Sequence, residues 1–442
     1  MTKWENKNIT VFGLGKSGLE IAKKLLPLAA KIFITDNKLE HELDPLIIKE
    51  LEKMAPKRGN SNLCIETGGH TLKSINGADL IVLSPGVKTD LPILKEAKLK
   101  NIPVIGEVEL AYRFLSKPII AVTGTNGKTT TTTLIGEFLK AGGKKIAVAG
   151  NIGIPLISVN DSDLDFIVVE ISSYQLETIV SFRPWISVFL NLTEDHIERH
   201  GSMQSYGEFK ARLFMNQKTR DYLVYNAEDA AICEMAKKSE ARLIPFSKKD
   251  ADQFLKIPID QIRIKGAHNL ENALAASIVA KIVGIQDSII AQVLKLFKGV
   301  EHRIEFVAEK NGVKFYNDSK ATNPESTIVA LKALDQGDKS IILLLGGKDK
   351  GGDLSKMCAL INQSVKHAVL FGEGAKRFEE ALKKSGFFNF ECAKSFDEAL
   401  CLAFKVSKQG DKLLLSPACA SFDMFKNFEE RGNVFKSLVA KL

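Results

Sequence analysis

Three α/β domains, each built on a parallel sheet, are what this sequence predicts: a Rossmann-like N-terminal domain, a central P-loop ATPase-like domain and a C-terminal Rossmann-like domain. Three observations carry the prediction. Apolar runs that read as strands alternate with helical patterns along the chain, and each run closes on a polar or glycine-rich loop. Two of those loops, Gly13-Leu-Gly-Lys-Ser-Gly18 and Gly124-Thr-Asn-Gly-Lys-Thr129, have the composition of phosphate cradles. The 442 residues also exceed what one hydrophobic core organises. Boundaries are expected at 1–107, 108–299 and 300–442.

The first element is the strand Asn8–Phe12, followed by the glycine loop and a helix over 19–26. A second strand, Lys31–Thr35, ends at Asp36. A glycine fingerprint between strand and helix, with an acid at the next strand's tip, is the pattern of a diphosphate or dinucleotide site. Asp36 is placed to accept from a ribose or a uracil; the bland alternative is a tight βα turn with no ligand. Further strands are expected at Leu80–Leu83 and Ile102–Ile105, the first ending in Ser84-Pro-Gly-Val87.

In the central segment a helix is expected over Glu107–Leu115, and Pro118 resets the chain before the strand Ile119–Val122. The loop after it runs straight into Thr131-Thr-Thr-Leu-Ile, a helix start. Inward-turned N–H groups and the helix N-terminus suit a triphosphate, Lys128 reaching its terminal phosphates and Thr129 a Mg²⁺ ion. The general pattern wants a glycine at position 122, which is Val122. Strands Lys145–Val148, Asp165–Val169 and Ile186–Leu190 follow. Glu170 stands at the tip of the second of these, where a Mg²⁺ ligand belongs. Asp195 and His196 follow the third as metal or phosphate contacts, while His200 reads as surface. A helix spans 205–214, on which any periodicity rule makes Lys210 a solvated lysine. Asn269 and Asn272 share one face of a later helix start, where amides cap a helix or read a base edge.

The last segment opens with Glu301-His-Arg-Ile and a strand pair. Lys314–Asn317 ends in Asp318-Ser-Lys-Ala-Thr322, Lys339–Leu345 in Gly346-Gly-Lys-Asp-Lys350, Ala368–Phe371 in Gly372-Glu-Gly374, and Asp411–Leu415 in Ser416-Pro-Ala-Cys-Ala-Ser421. Loop lysines and Arg303 suit phosphates or carboxylates.

Composition narrows the function classes. Hydrophobic residues at 45% and charged residues at 26% describe an ordinary soluble chain. A formal charge of +8 spread along the sequence lacks the clustered footprint of a nucleic-acid binder. No apolar run is long enough for a bilayer and the first residues are polar, so neither a membrane span nor a secretory signal is expected. Six cysteines without a C-x-x-C pair read as reduced, mostly buried thiols of a cytoplasmic protein. There is no defensible Ser-His-Asp set, so chemistry rests on positioning and on electrostatic stabilisation of a transferring phosphoryl group.

Thr123-Gly-Thr-Asn-Gly-Lys-Thr-Thr130, Glu170-Ile-Ser-Ser, Asn191-Leu-Thr-Glu-Asp-His196, His268-Asn-Leu-Glu-Asn272 and His302-Arg303 together resemble the Mur ligases nearly from end to end. Asp318-Ser-Lys-Ala-Thr-Asn and Ser416-Pro-Ala-Cys-Ala-Ser-Phe-Asp, continuing to Asn427-Phe-Glu-Glu-Arg-Gly432, are similar to the branch that adds D-glutamate. The resemblance also accounts for Val122, since the loop of this family is the tighter Gly-Thr-Asn-Gly-Lys-Thr. It implies an ATP-dependent amide ligase that adds D-glutamate to UDP-N-acetylmuramoyl-L-alanine through an acyl phosphate. The setting would be cytoplasmic peptidoglycan precursor synthesis, and so cell-wall biogenesis, cell shape and division. The expected partners are these small molecules and ATP, with neither nucleic acid nor membrane, and the chain is expected to be a monomer.

Roles carry over as implications of that resemblance. Gly124, Thr125, Asn126, Gly127, Lys128, Thr129 and Thr130 hold ATP with Asn269, Asn272, Arg303 and Asp318. Thr129 and Glu170 hold one Mg²⁺. His196 holds a second, and Lys210 as a CO2-derived carbamate is a further, anionic metal ligand. Lys16, Ser17, Asp36, Asn37, Gly86, Asn151 and His196 face the uridine nucleotide substrate. Lys350, Thr322, Ser421 and Phe428 face D-glutamate. The family closes its third domain over ligands, which suits a hinge near residue 299. Rival readings are another Mur ligase, a folylpolyglutamate synthase-like ligase, an NAD-dependent oxidoreductase argued from Gly13 to Gly18, and a non-catalytic nucleotide-binding protein.

Overall fold

The computed structural model describes residues 4–28, 31–54, 62–264, 266–349, 351 and 353–442. The chain divides into two compact units, 1–296 and 297–442. The first unit holds two sheets. In one, β1 (Asn8–Phe12), β2 (Lys31–Thr35), β3 (Leu63–Glu66), β4 (Leu80–Leu83) and β5 (Val104–Gly106) lie in the order β3-β2-β1-β4-β5, all parallel. β4 is a continuous apolar run, and β1 is buried from Ile9 to Phe12, because both faces of a central parallel strand are covered. The strand order reverses between β1 and β4, the place where open α/β sheets hold ligands. There Ser84 donates its hydroxyl to the Gly13 carbonyl at 3.0 Å. Gly18 lets the first helix pack tightly, since a Cβ would fall 2.2 Å from the Gly13 oxygen. β3 was not expected; it has a single buried residue, Leu63, and so no clear apolar run.

The second sheet comprises β6 (Ile119–Thr123), β7 (Ile146–Gly150), β8 (Phe166–Glu170), β9 (Ile186–Phe189), β10 (Tyr222–Asn226) and β11 (Arg242–Phe246). Its order is β11-β10-β9-β6-β8-β7, again all parallel. β6 lies between β8 and β9 with every residue buried. Val122 is thus strand, paired with Glu170 and Val188, and the phosphate turn begins only after Thr123.

Between the two sheets runs the helix Glu107–Tyr112, which ends short of the expected Leu115. Its acids face inward as rivets. The Glu109 carboxylate accepts the N–H groups of Val180, Ser181 and Phe182, each at 2.9 Å, and the Ser181 hydroxyl at 2.6 Å. Glu107 accepts from Ile157 N–H at 2.7 Å, and burial pushes its carboxyl up to about 7. Because the folded carboxyl holds its proton more tightly than the unfolded one, stability is greatest below the ordinary carboxylate range. It falls as pH rises toward 7, by about 1.4 kcal/mol per pH unit in that window. Glu107→Gln should flatten this slope and raise the melting temperature at pH 8, checked by thermal denaturation across pH.

The second unit contains β12 (Glu305–Lys310), β13 (Val313–Asn317), β14 (Ile341–Gly346), β15 (Val365–Phe371), β16 (Phe390–Cys392) and β17 (Lys412–Leu415). They lie in the order β12-β13-β17-β14-β15-β16, with β12 antiparallel to β13 and the rest parallel. The two faces alternate along β14. Leu343 and Leu345 pack with Phe378 and Leu414 on one side, Ile342 and Leu344 with Phe396 and Phe435 on the other. The cysteines depart from expectation. Cys64, Cys392 and Cys401 are exposed, Cys233 is half-buried, and only Cys358 and Cys419 are buried. Among the described residues no helix is long and apolar enough to cross a membrane.

Candidate active site

In the second sheet the loops after β6, β8 and β9 converge at one edge. Gly127 begins the helix Lys128–Ala141 with φ +81°, a left-handed turn that glycine adopts without strain. Glycine is needed for space as well, since a Cβ would fall 2.1 Å from Asn272 Oδ1. The helix Ala267–Val283 therefore lies against the loop. Thr131 donates its hydroxyl to Asn272 Oδ1 at 3.2 Å, and Asn272 Nδ2 donates to Asn269 Oδ1 at 3.2 Å. On the other side Asn126 N–H donates to Asn191 Oδ1 at 2.8 Å, and the Thr125 hydroxyl to the Thr193 carbonyl at 3.1 Å. Lys128 folds back on its own loop, donating to the carbonyls of Gly124 at 3.0 Å and Thr125 at 2.8 Å. Thr129 and Thr130 are buried beside it.

The strand-end residues meet this loop. Glu170 closes β8 and is buried. Asn151 holds one of its carboxylate oxygens from Nδ2 at 2.8 Å and donates its own N–H to the Glu170 carbonyl at 2.9 Å. The other oxygen, Oε2, is buried without a hydrogen-bond partner among the described residues. An anionic oxygen so placed is a fitting ligand for a hard divalent cation. His196 sits at φ +53°, its Nδ1 2.9 Å from the Tyr174 hydroxyl and its Nε2 3.4 Å from Asp195 Oδ2. No group of three His, Cys, Asp or Glu that could hold a metal is found among the described residues. The ligands implied for Mg²⁺ are instead a hydroxyl, one carboxylate, one imidazole and a carbamate.

Lys210 corrects the periodicity reading. It is 1% exposed, not solvated. Its Nζ donates to the Gly124 carbonyl at 2.8 Å and lies 4.6 Å from the Tyr206 ring centre. Burial drives its amine well below the ordinary lysine range, and the nearby Lys128 charge adds to the effect. His200 is a second correction. It is buried, 3.0 Å from the Ser173 hydroxyl and packed against the rings of Tyr206 and Phe209. The helix Met203–Ala211 folds back over it, a tertiary event that polar Glu-Arg-His-Gly-Ser does not announce. Tyr174 and Tyr206 were not singled out either, yet they position His196 and Thr125.

At the first sheet, Lys16, Asn37 and Gly86 are exposed and Ser17 is half-buried. Asp36 is buried and already engaged, accepting from Leu14 N–H at 2.6 Å and Lys38 N–H at 2.9 Å. It shapes the glycine loop from within.

In the second unit Asp318 is buried, accepting from the Ser416 hydroxyl at 2.7 Å and Ile304 N–H at 3.2 Å. Burial pushes its carboxyl up to about 7. Arg303 is half-buried, and its charge opposes that shift. Thr322 donates its N–H to the Lys320 carbonyl, and Lys320 Nζ lies 5.7 Å from the Phe428 ring centre. Ser421 is buried, its carbonyl accepting from Met424 and Phe425. Lys350 lies outside the described residues. Arg431 joins the two signature loops. It is fully buried and donates to the Ser319 hydroxyl and carbonyl at 3.0 and 2.8 Å, to the Cys419 carbonyl at 3.1 Å and to the Ala420 carbonyl at 3.2 Å.

Comparison with known proteins agrees with this architecture. Residues 7–106 match the Mur ligase MurD-like N-terminal domain, 122–280 the Mur ligase middle domain and 302–419 the Mur ligase glutamate ligase domain. A UDP-N-acetylmuramoylalanine–D-glutamate ligase from Thermoanaerobacter pseudethanolicus is 45% identical, covering 99% of each chain. One from Caldanaerobacter subterraneus subsp. tengcongensis is 42% identical over the same shares. The fold is shared with MurF from Acinetobacter baumannii, at TM-score 0.59 and 16% identity, over 98% of this chain and 93% of that one. It is shared too with a UDP-N-acetylmuramate–alanine ligase from Thermotoga maritima, at TM-score 0.57 and 19% identity, over 98% and 99%. With all three of its domains matched and full-length relatives well above the twilight of similarity, the chain belongs to the Mur ligase family.

Proposed function

We propose that this Mur ligase joins D-glutamate to UDP-N-acetylmuramoyl-L-alanine with ATP, as a step of cytoplasmic peptidoglycan precursor synthesis. The observation that carries the reading is likeness over 99% of both chains to relatives that bear this activity in their names. The cluster of half-buried Lys128 with buried Glu170 and Lys210 around the Gly124 loop supports it chemically.

A carboxylate oxygen of the muramoyl-alanine attacks the γ-phosphorus, and the bond to the ADP oxygen breaks. The amine of D-glutamate then attacks the acyl carbon, inorganic phosphate leaves and the amine gives up its proton. Lys128 and the N-terminus of the helix Lys128–Ala141 hold the phosphates and offset the charge that moves between them. Thr129 and Glu170 would hold one Mg²⁺, and His196 with carbamylated Lys210 a second. Such ions neutralise phosphate charge. Carbamylation needs a neutral amine: the Lys210 nitrogen bonds to the carbon of CO2 and loses a proton. Burial holds its amine well below the ordinary lysine range, so it gives up its proton more readily than a solvated lysine does. Lys16, Ser17, Asp36, Asn37, Gly86 and Asn151 are assigned to the uridine nucleotide substrate. Arg303 and Asp318 are assigned to ATP, and Thr322, Ser421 and Phe428, with Lys350, to D-glutamate. The chain is expected to act as a monomer.

The test is coupled ADP release with UDP-N-acetylmuramoyl-L-alanine and single amino acids. D-glutamate should stimulate release. Stimulation by L-glutamate or meso-diaminopimelate in place of D-glutamate would overturn the reading.

A further inference from the structure

The second sheet has a second inhabited edge. At the strand starts, opposite the phosphate loop, lies a cleft of about 520 Å³. It is lined by residues that lead into or open β6, β8, β9 and β10, and by the end of the helix Glu107–Tyr112. Its walls are aromatic. Phe166 and Trp185 stack with ring centres 5.7 Å apart and planes 17° from parallel, and Tyr112 lies edge-on to Phe182. All three lining rings, Tyr112, Phe166 and Trp185, are half-buried, so each still offers ring surface. The charged residues that line the cleft are mostly positive, Lys117, Arg183 and Arg220 against Asp221, with Asp161 outside the lining accepting from the Ser116 and Lys117 N–H groups. Asp221 is buried and bound by Arg183 at 2.7 Å and by Lys218 N–H at 2.7 Å, so its charge is spent inside the wall. Arg220 is exposed beside it.

From these rings and cations we infer that the cleft binds a planar aromatic anion, such as an aromatic carboxylate, sulfonate or phosphate ester. The rings supply flat apolar area, Lys117 and Arg220 the countercharge, and the volume suits one small ligand. No role proposed for the ligase reaction uses these residues. β6 separates the two edges, its start lining the cleft and its end feeding the phosphate loop. Five strand residues span roughly 17 Å. The ligand therefore binds without excluding ATP.

The chain contains two tryptophans, which makes the test direct. Trp185 lines the cleft, whereas Trp4 is outside its lining, buried against Phe114 at 5.1 Å. The full-length protein with ¹⁵N-labelled tryptophan is titrated with naphthalene-2-sulfonate while both indole N–H resonances are followed. The Trp185 signal should move saturably below millimolar probe and the Trp4 signal should stay. Saturating Mg-ADP should leave the affinity unchanged. The neutral analogue naphthalene-2-methanol, and the double variant Lys117→Glu with Arg220→Glu, should each bind about tenfold more weakly. Both substitutions are at the rim, and retained ligase activity reports that the variant is folded. The inference is overturned if Trp185 does not respond at millimolar probe, if both indoles move together, if the neutral analogue binds equally well, or if Mg-ADP displaces the probe.

Discussion

Lys210→Ala should lower kcat for ADP release by about a thousandfold, the scale on which loss of a single anchoring charge acts in phosphoryl transfer. The fold should survive. The native ammonium, were it protonated, would sit with 1% exposure 2.8 Å from one carbonyl and near the like charge of Lys128. Removing it relieves that conflict, so Lys210→Met should melt at the same temperature or higher while being equally inactive. Acetate or another short carboxylic acid should restore part of the activity to the Ala variant, because it returns an anionic oxygen to the vacated space. Steady-state kinetics with and without the acid, beside thermal denaturation, checks both halves. Full activity in the Ala variant would remove Lys210 from the reaction.

Arg431→Ala should destabilise the second unit by about 3–5 kcal/mol and raise KM for D-glutamate more than it lowers kcat. Its guanidinium satisfies the carbonyls of Ser319, Cys419 and Ala420 together, in an interior that offers little water to replace it. Burial pushes that guanidinium down to about 10, yet it stays charged at neutral pH. Losing it leaves three acceptors bare and releases the Ser319 and Cys419 loops from each other. Arg431→Lys should recover little, since an ammonium cannot fork to both loops. Urea unfolding and substrate titrations separate the stability effect from the KM effect.

Much of this was legible in the residues. Central strands such as β6, β14 and β17 are short unbroken apolar runs ending in glycine or polar loops, and those runs name themselves. The edges did not. β11, Arg-Leu-Ile-Pro-Phe, buries only its last residue fully and carries Pro245, which an edge position permits because one side of the strand makes no ladder bonds. β16 is three residues long and mostly exposed. At the site, Glu170 and His196 were visible as polar residues at strand ends. Lys210 was not, because its burial comes from a helix folding over the phosphate loop and not from its neighbours in sequence. Only the resemblance to the family, which implies a carbamate at Lys210, raised it. His200 and the four-bond seat of Glu109 were hidden for the same reason: polar side chains buried against distant backbone leave no periodic trace.

Lys128 spans its own loop, bonded to the carbonyls of Gly124 and Thr125. Entry of a nucleotide is therefore an exchange and not a simple addition. An incoming anion would have to offer Lys128 more than its present partners, these carbonyl oxygens among them, already give. A lone inorganic phosphate offers one contact point and gains little from the swap. A triphosphate engages the lysine, the helix N-terminus and the loop amides at once, and wins it. If Lys128 serves the nucleotide as proposed, its bonds to these carbonyls set a threshold that a many-pointed anion meets more easily than a small one.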